Sequence, residues 1–161
     1  MLVSAGNVPF RLNEVNSMKL STRCRYGTRA LVEIARNYGG GPTKRKDIAR
    51  AQGLSQAYLE NILSVLKSQG LVKTTRGADG GFVLSKAPTS ITMLDIVQAL
   101  EGSIAPVDCL DDPTGCDRAG RCGARKAWKK LHDAQVKVLS GITLMDLVSM
   151  DDGKDGGDFA I

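Results

Sequence analysis

A mostly helical fold carrying a single two-stranded β-hairpin is what this sequence predicts, and three observations carry the prediction. Hydrophobic residues make up 42% of the 161 positions but aromatics only 4%, which leaves the aliphatic core of a helical protein. Apolar residues recur three and four positions apart over most of the stretch from Ser21 to Met150, the period of helices with one buried face. Two short β-prone runs face each other across "RGADGG", a turn loaded with glycine and aspartate.

The first helix is expected in "STRCRYGTRALVEIARNYGGG", with Ser21 as its N-cap, Tyr26, Ala30, Leu31, Ile34 and Ala35 on one face, and glycines at its end. A short helix follows in "TKRKDIARAQG", stopped by Gly53. The third begins at an N-cap Ser55 and aligns Leu59, Ile62, Leu63 and Leu66, leaving Gln56, Ala57, Glu60, Asn61, Ser64 and Lys67 on its other face. Runs 71–75 and 82–85 then form the hairpin, with Arg76 at its tip. Thr92 and Asp95 stand in capping-box spacing at the head of a helix that closes on Gly102. A long helix over 124–142 and a short one capped by Thr143 and Asp146 complete the order. Residues 1–17 read as a disordered extension or a misassigned start before Met18, and 151–161 as a solvated, disordered tail.

Helix, short helix, helix and glycine-tipped hairpin, in that order, make a winged helix-turn-helix with a two-stranded wing. The charge agrees. Met18 to Ser90 holds 13 Lys/Arg against 4 Asp/Glu, a balance of +9, whereas Ile91 to Ile161 holds 8 against 12. A strongly basic half is what a polyanion binds, and double-stranded DNA is the expected partner. The third helix is polar outward and anchored inward, as a helix entering a major groove must be. Arg76 reaches a phosphate or the minor groove from the wing, while Arg23, Arg25, Arg29, Lys44, Arg45 and Lys46 supply phosphate contacts. No run approaches the roughly 20 apolar residues of a membrane helix, and residues 1–17 lack the pattern of a signal peptide, so a cytoplasmic protein without a membrane partner is expected.

The long helix carries an apolar stripe: Ala124, Leu131 and Val138 at one heptad position, Ala127 and Ala134 at another, with Trp128 and Ile142 flanking. Nothing left in the sequence covers it, which predicts a partner helix from a second copy of the chain. Ala127, Trp128, Leu131, Ala134 and Val138 are the expected dimerisation residues.

The stretches "MKLSTRCRYGTRAL", "LSQAYLENIL", "RGADGGF" and "ITMLDIVQALEG", together with a triple-cysteine loop, resemble the Rrf-two family of bacterial transcription regulators over about Met18 to Met150. The resemblance implies a homodimer joined by the long C-terminal helix, each recognition helix and wing on one half-site of a pseudo-palindromic operator. By position it implies DNA contacts from Ser55, Ala57, Tyr58, Glu60, Asn61 and Arg76. Relatives often carry a hydroxyl where this chain has Ala57, so its target sequence is expected to differ.

Three of the 4 cysteines, Cys109, Cys116 and Cys122, crowd into one 14-residue polar loop within 103–123, separated by six and five residues. That spacing is looser than a zinc knuckle's. Three thiolates on a turn-rich loop suit an iron–sulfur cluster completed from elsewhere; zinc, or a metal-free thiol switch, uses the same residues. The resemblance implies a cluster, two-iron ahead of four-iron. Where the family has a histidine three residues after the last cysteine, this chain has Arg125, which cannot be a ligand. His132 lies ten residues past Cys122, roughly 15 Å along a helix, and is expected on the surface. Cys24 has two readings: a small core residue, or a ligand given by Cys24 of the partner subunit, as the resemblance implies. A regulator acting through a complex with a metabolic enzyme is the alternative function. With one histidine and no phosphate-binding loop, an enzyme is not expected.

Overall fold

The computed structural model describes residues 19–153; the expectations for residues 1–17 and for the tail beyond Gly153 lie outside them. Seven helices and one hairpin follow in order: α1 Thr22–Arg36, α2 Arg45–Gln52, α3 Gln56–Ser68, β1 Val72–Thr75, β2 Gly81–Leu84, α4 Met93–Glu101, α5 Asp108–Asp111, α6 Gly123–Ser140 and α7 Leu144–Asp151.

The expected caps form. Ser21 Oγ accepts from Cys24 N and Ser55 Oγ from Tyr58 N, satisfying N–H groups that a helix start leaves unpaired. Gly53 ends α2 in the left-handed region at φ 63°, a conformation that needs glycine. Thr92/Asp95 and Thr143/Asp146 are both complete capping boxes. They lie side by side, because Met93 N donates to Ile142 O and Leu144 N to Ile91 O, a bridge that ties α7 to the head of α4.

One aliphatic core joins α1, α2, α3, the hairpin and α4. Leu31, Leu59, Ile62, Leu63, Leu66, Ile91, Ile96 and Leu144 are fully enclosed. Gly27 lets α4 approach α1: a Cβ there would lie 2.6 Å from Leu100 Cδ1. Neither α5 nor α6 places a residue in this core.

The hairpin is antiparallel, with Val72 opposite Leu84 and Thr75 opposite Gly81. It gains a third strand of one residue beyond the expected two-stranded wing, since Thr43 and Phe82 exchange both backbone hydrogen bonds at 2.9 Å. Gly81 permits that approach; a Cβ on it would sit 2.5 Å from Thr43 O. The wing is thereby pinned to the segment that opens α2.

Candidate nucleic-acid interface and cysteine loop

With Leu59, Ile62, Leu63 and Leu66 turned into the core, α3 presents Ala57, Glu60, Asn61 and Ser64 outward, all exposed. Ser55 is spent partly on the cap, although its hydroxyl can still donate. Tyr58 is half-buried and packs edge-on against Tyr26, ring centroids 6.3 Å apart, and Arg29 lies 5.6 Å from the Tyr26 ring centre. That stack fixes the first turn of α3 against α1. Arg76 follows β1 directly; it is exposed and has no hydrogen bond or ion pair among the described residues. Asn61 and Lys46 are likewise exposed and unpaired, and Arg25 is exposed.

Three of the expected DNA-contacting cations, Arg23, Lys44 and Arg45, are engaged within the protomer. The Arg23 guanidinium donates to Leu100 O at the end of α4. Lys44 Nζ lies 3.5 Å from the Asp79 carboxylate in the wing turn. Indeed every acidic residue of the basic half has a cationic neighbour: Glu33 with Arg36, Asp47 with Arg50, Glu60 with Arg45, and Asp79 with Lys44. These pairs neutralise the carboxylates that stand among the outward cations. Arg76 on the wing and Asn61 on α3 are left exposed and unpaired among the described residues.

The cysteine loop is more structured than its composition suggests. Cys109 lies in α5, the stretch Pro113–Gly115 makes one 3-10 turn, and Cys122 caps α6, its Sγ accepting from Arg125 N at 3.4 Å. The Arg125 Nε donates to Cys109 O at 2.9 Å. The arginine that stands in for the family's histidine therefore holds both ends of the loop together. Cys116 is exposed, and Cys109 and Cys122 are half-buried. All three are free thiols. Among the described residues, no three His, Cys, Asp or Glu side chains gather closely enough to hold a metal ion. Three thiols are the right donors for an iron–sulfur cluster, but this arrangement does not assemble them into a site.

Cys24 is packed in the core of the protomer. It is 0% exposed, beside Thr28 and the Ser21–Glu101 contact, where Glu101 accepts from both Ser21 N and Ser21 Oγ. Burial, with the Glu101 charge adding to it, pushes its thiol up to about 11. His132 departs from expectation. It is half-buried rather than on the surface, its Nδ1 enclosed without a hydrogen-bond partner.

On α6, Ala127, Trp128, Ala134 and Val138 are exposed, with Trp128 at 44% and Val138 at 58%, while Leu131 is half-buried. Most of the stripe expected to form a dimer seam is thus exposed in the protomer. Sequence reasoning missed the Thr43 bridge, the Arg45–Glu60 pair and the Arg125 staple. Only the first had a visible signal, the doubled glycine at Gly80 and Gly81.

No helix among the described residues is long and apolar enough to cross a membrane. The family described as "Rrf2: Iron-dependent Transcriptional regulator" matches residues 20–150. The transcriptional regulator CymR of Bacillus subtilis is 44% identical over 85% of this chain and 94% of its own length. IscR of Escherichia coli is 34% identical over 82% and 81%. Among solved structures, the B. subtilis CymR structure, titled the global cysteine regulator, superposes with TM-score 0.68 over 82% of this chain and 97% of its own. IscR of T. potens does so with TM-score 0.69 at 33% identity, over 91% and 98%. These relatives are transcription regulators rather than enzymes. Family match, close relatives and a shared winged-helix fold agree: this chain belongs to the Rrf2 family of transcription regulators.

Proposed function

We propose that the chain is a cytoplasmic, homodimeric regulator that binds a double-stranded DNA operator, and that the Cys109–Cys122 loop tunes this binding through an iron–sulfur cluster or through its thiols. Residues 18–102 form the DNA-binding unit, 103–123 the sensing loop, and 124–150 the dimerisation segment. The observation that carries the reading is the outward face of α3 beside a wing that offers Arg76, in a half whose acids are all paired with cations. DNA affinity then falls steeply with salt, its log–log slope about −0.9 for each phosphate neutralised. A titration of duplex DNA over several salt concentrations tests this. A flat response would favour the reading in which the chain acts through a protein complex.

The family's description as iron-dependent and the thiol donor set support the cluster. Cys109, Cys116 and Cys122 are the residues that would hold it, and a cluster would supply redox and lability to the loop. Because the three sulfurs do not converge here, binding it requires the loop to close. The loop lies between α4 and α6, so its closure acts on the segment that joins the DNA-binding unit to the dimer seam. An absorption spectrum of protein purified without oxygen, with iron, zinc and sulfide assayed on the same sample, separates the cases. Matched iron and sulfide with visible charge-transfer bands support the cluster. Zinc alone, or no metal after anaerobic reconstitution, removes it.

A further inference from the structure

Arg125 is engaged twice, and both times with the cysteine loop. Its backbone N–H donates to Cys122 Sγ at 3.4 Å, which makes that sulfur the N-cap of α6. Its side-chain Nε donates to Cys109 O at 2.9 Å, on the short helix α5. One residue therefore ties down both ends of the loop. A hydrogen bond from a guanidinium to a carbonyl is charge-assisted, and the half-burial of Arg125 and Cys109 shields it from water.

The far side of the loop is held separately. Asp112 accepts from Thr114 N at 2.9 Å and from Thr114 Oγ1, which shapes the turn Pro113–Gly115 that leads to Cys116. Cys116 is exposed, whereas Cys109 and Cys122 are half-buried. Among the described residues no three metal-ligating side chains gather, so these locks hold the thiols in an arrangement that is not a metal site. Bringing three sulfurs onto one ion needs the loop to rearrange, and a backbone pinned at Cys109 resists that. The affinity of a site that is formed only part of the time is reduced by the fraction of time it is formed.

We propose that Arg125 is a positioning residue that holds the loop in its metal-free form, so that the bond from its Nε to Cys109 O opens before the thiols close on a metal. Arg125 thereby sets how tightly the loop takes a thiophilic metal. The inference rests on the reading above of Cys109, Cys116 and Cys122 as a metal-binding set. It concerns a side chain that only donates hydrogen bonds and cannot itself be a ligand.

The test uses the full-length, reduced protein without oxygen, titrated with cobalt(II), whose thiolate charge-transfer bands report sulfur ligation. Wild type is compared with Arg125→Met, which keeps the stem and loses the donor. It is also compared with Arg125→Gln, whose amide N–H sits as many bonds from the backbone as Nε does. Arg125→Met is expected to bind cobalt roughly tenfold more tightly, the scale of one charge-assisted hydrogen bond, while Arg125→Gln stays close to wild type. A second readout needs no metal. Iodoacetamide should modify Cys109 and Cys122 faster in Arg125→Met, by a similar factor, while Cys116, already exposed, reacts as before. Equal cobalt affinities and equal alkylation rates overturn the proposal. So does weaker binding by Arg125→Met, which would mean that Arg125 gathers the thiols. A rise shared by both variants would assign the effect to the lost positive charge rather than to the bond, and overturns the proposal too. No cobalt bands in any of the three proteins would instead overturn the metal reading itself, and the proposal with it. Arg125 lies outside the enclosed core, so both variants should keep the helical circular dichroism of wild type.

Discussion

Arg76 stands where β1 gives way to the turn, exposed and unpaired, and its role can be separated into base reading and phosphate attraction. Arg76→Ala is expected to cost about 1–3 kcal/mol on an enriched duplex and less on a scrambled one, as loss of a base contact does. Titrating both duplexes with both proteins checks it, and equal losses would make the residue a phosphate contact. Cys24 poses the opposite case. Its thiol is raised from 9.0 to about 11 by burial first and Glu101 second, so the folded state holds its proton more tightly than the unfolded chain. This contribution to stability is fully present below about pH 9 and is lost as pH rises through about 11. Melting temperatures over that range should fall more for wild type than for Cys24→Ala. Mass spectrometry after brief native alkylation should find Cys116 modified and Cys24 untouched. The sequence left both roles of Cys24 open because cysteine is at once a good packing residue and a good ligand. Its 0% exposure, which depends on how α1 packs against the rest of the fold, could not be read from the sequence.

At the scale of elements, sequence signals located every main helix because each carries its own punctuation. Ser21, Ser55, Thr92 and Thr143 all proved to be N-caps, and Gly53 ends α2, since caps act through neighbours a few residues away. Thr143→Ala is expected to cost about 1 kcal/mol, the usual loss for a cap, read as a lower melting temperature. What stayed hidden was non-local. The Thr43–Phe82 bridge joins residues far apart in the chain, and only the glycine at position 81 hinted that a backbone passes close by. Gly81→Ala should therefore destabilise the protein by about 1–3 kcal/mol, since the strand at Thr43 has no room to give. It should also weaken DNA binding, because the wing and the head of α2 shift together. Calorimetry and a duplex titration on the same variant measure the two effects. The Arg125 staple was hidden for the same reason, being a side-chain to backbone bond from α6 to Cys109.

The whole molecule divides its labour along the chain. The core belongs to residues up to α4 with Leu144 of α7, while α5 and α6 add no enclosed side chain. Helix α6 packs against α4 and sets Leu139 at the edge of that core, while much of its length stays open. Trp128 and Val138 are exposed on it, and under the proposed homodimer they would lie in the seam. Trp128→Glu combined with Val138→Glu is expected to give a folded monomer by sedimentation, with binding to a two-half-site duplex reduced at least tenfold, since two linked reading heads bind far more tightly than one. Heptad periodicity is legible without a structure, whereas the arrangement of the three loop thiols is not. Their convergence depends on loop conformation, which composition leaves open, and in this structure they stand apart.

Under the proposed function, the state of the Cys109–Cys122 loop sets the affinity for DNA. Its most direct test is one preparation, purified without oxygen and divided in two. One half is kept anaerobic, and the other is treated with a chelator and a mild oxidant. Both are then titrated with the same enriched duplex at one salt concentration. The two affinities should differ by about 5–150-fold, the range of an ordinary coupling between two sites. Equal affinities in the two halves would contradict it, leaving a DNA-binding protein whose cysteine loop does not sense.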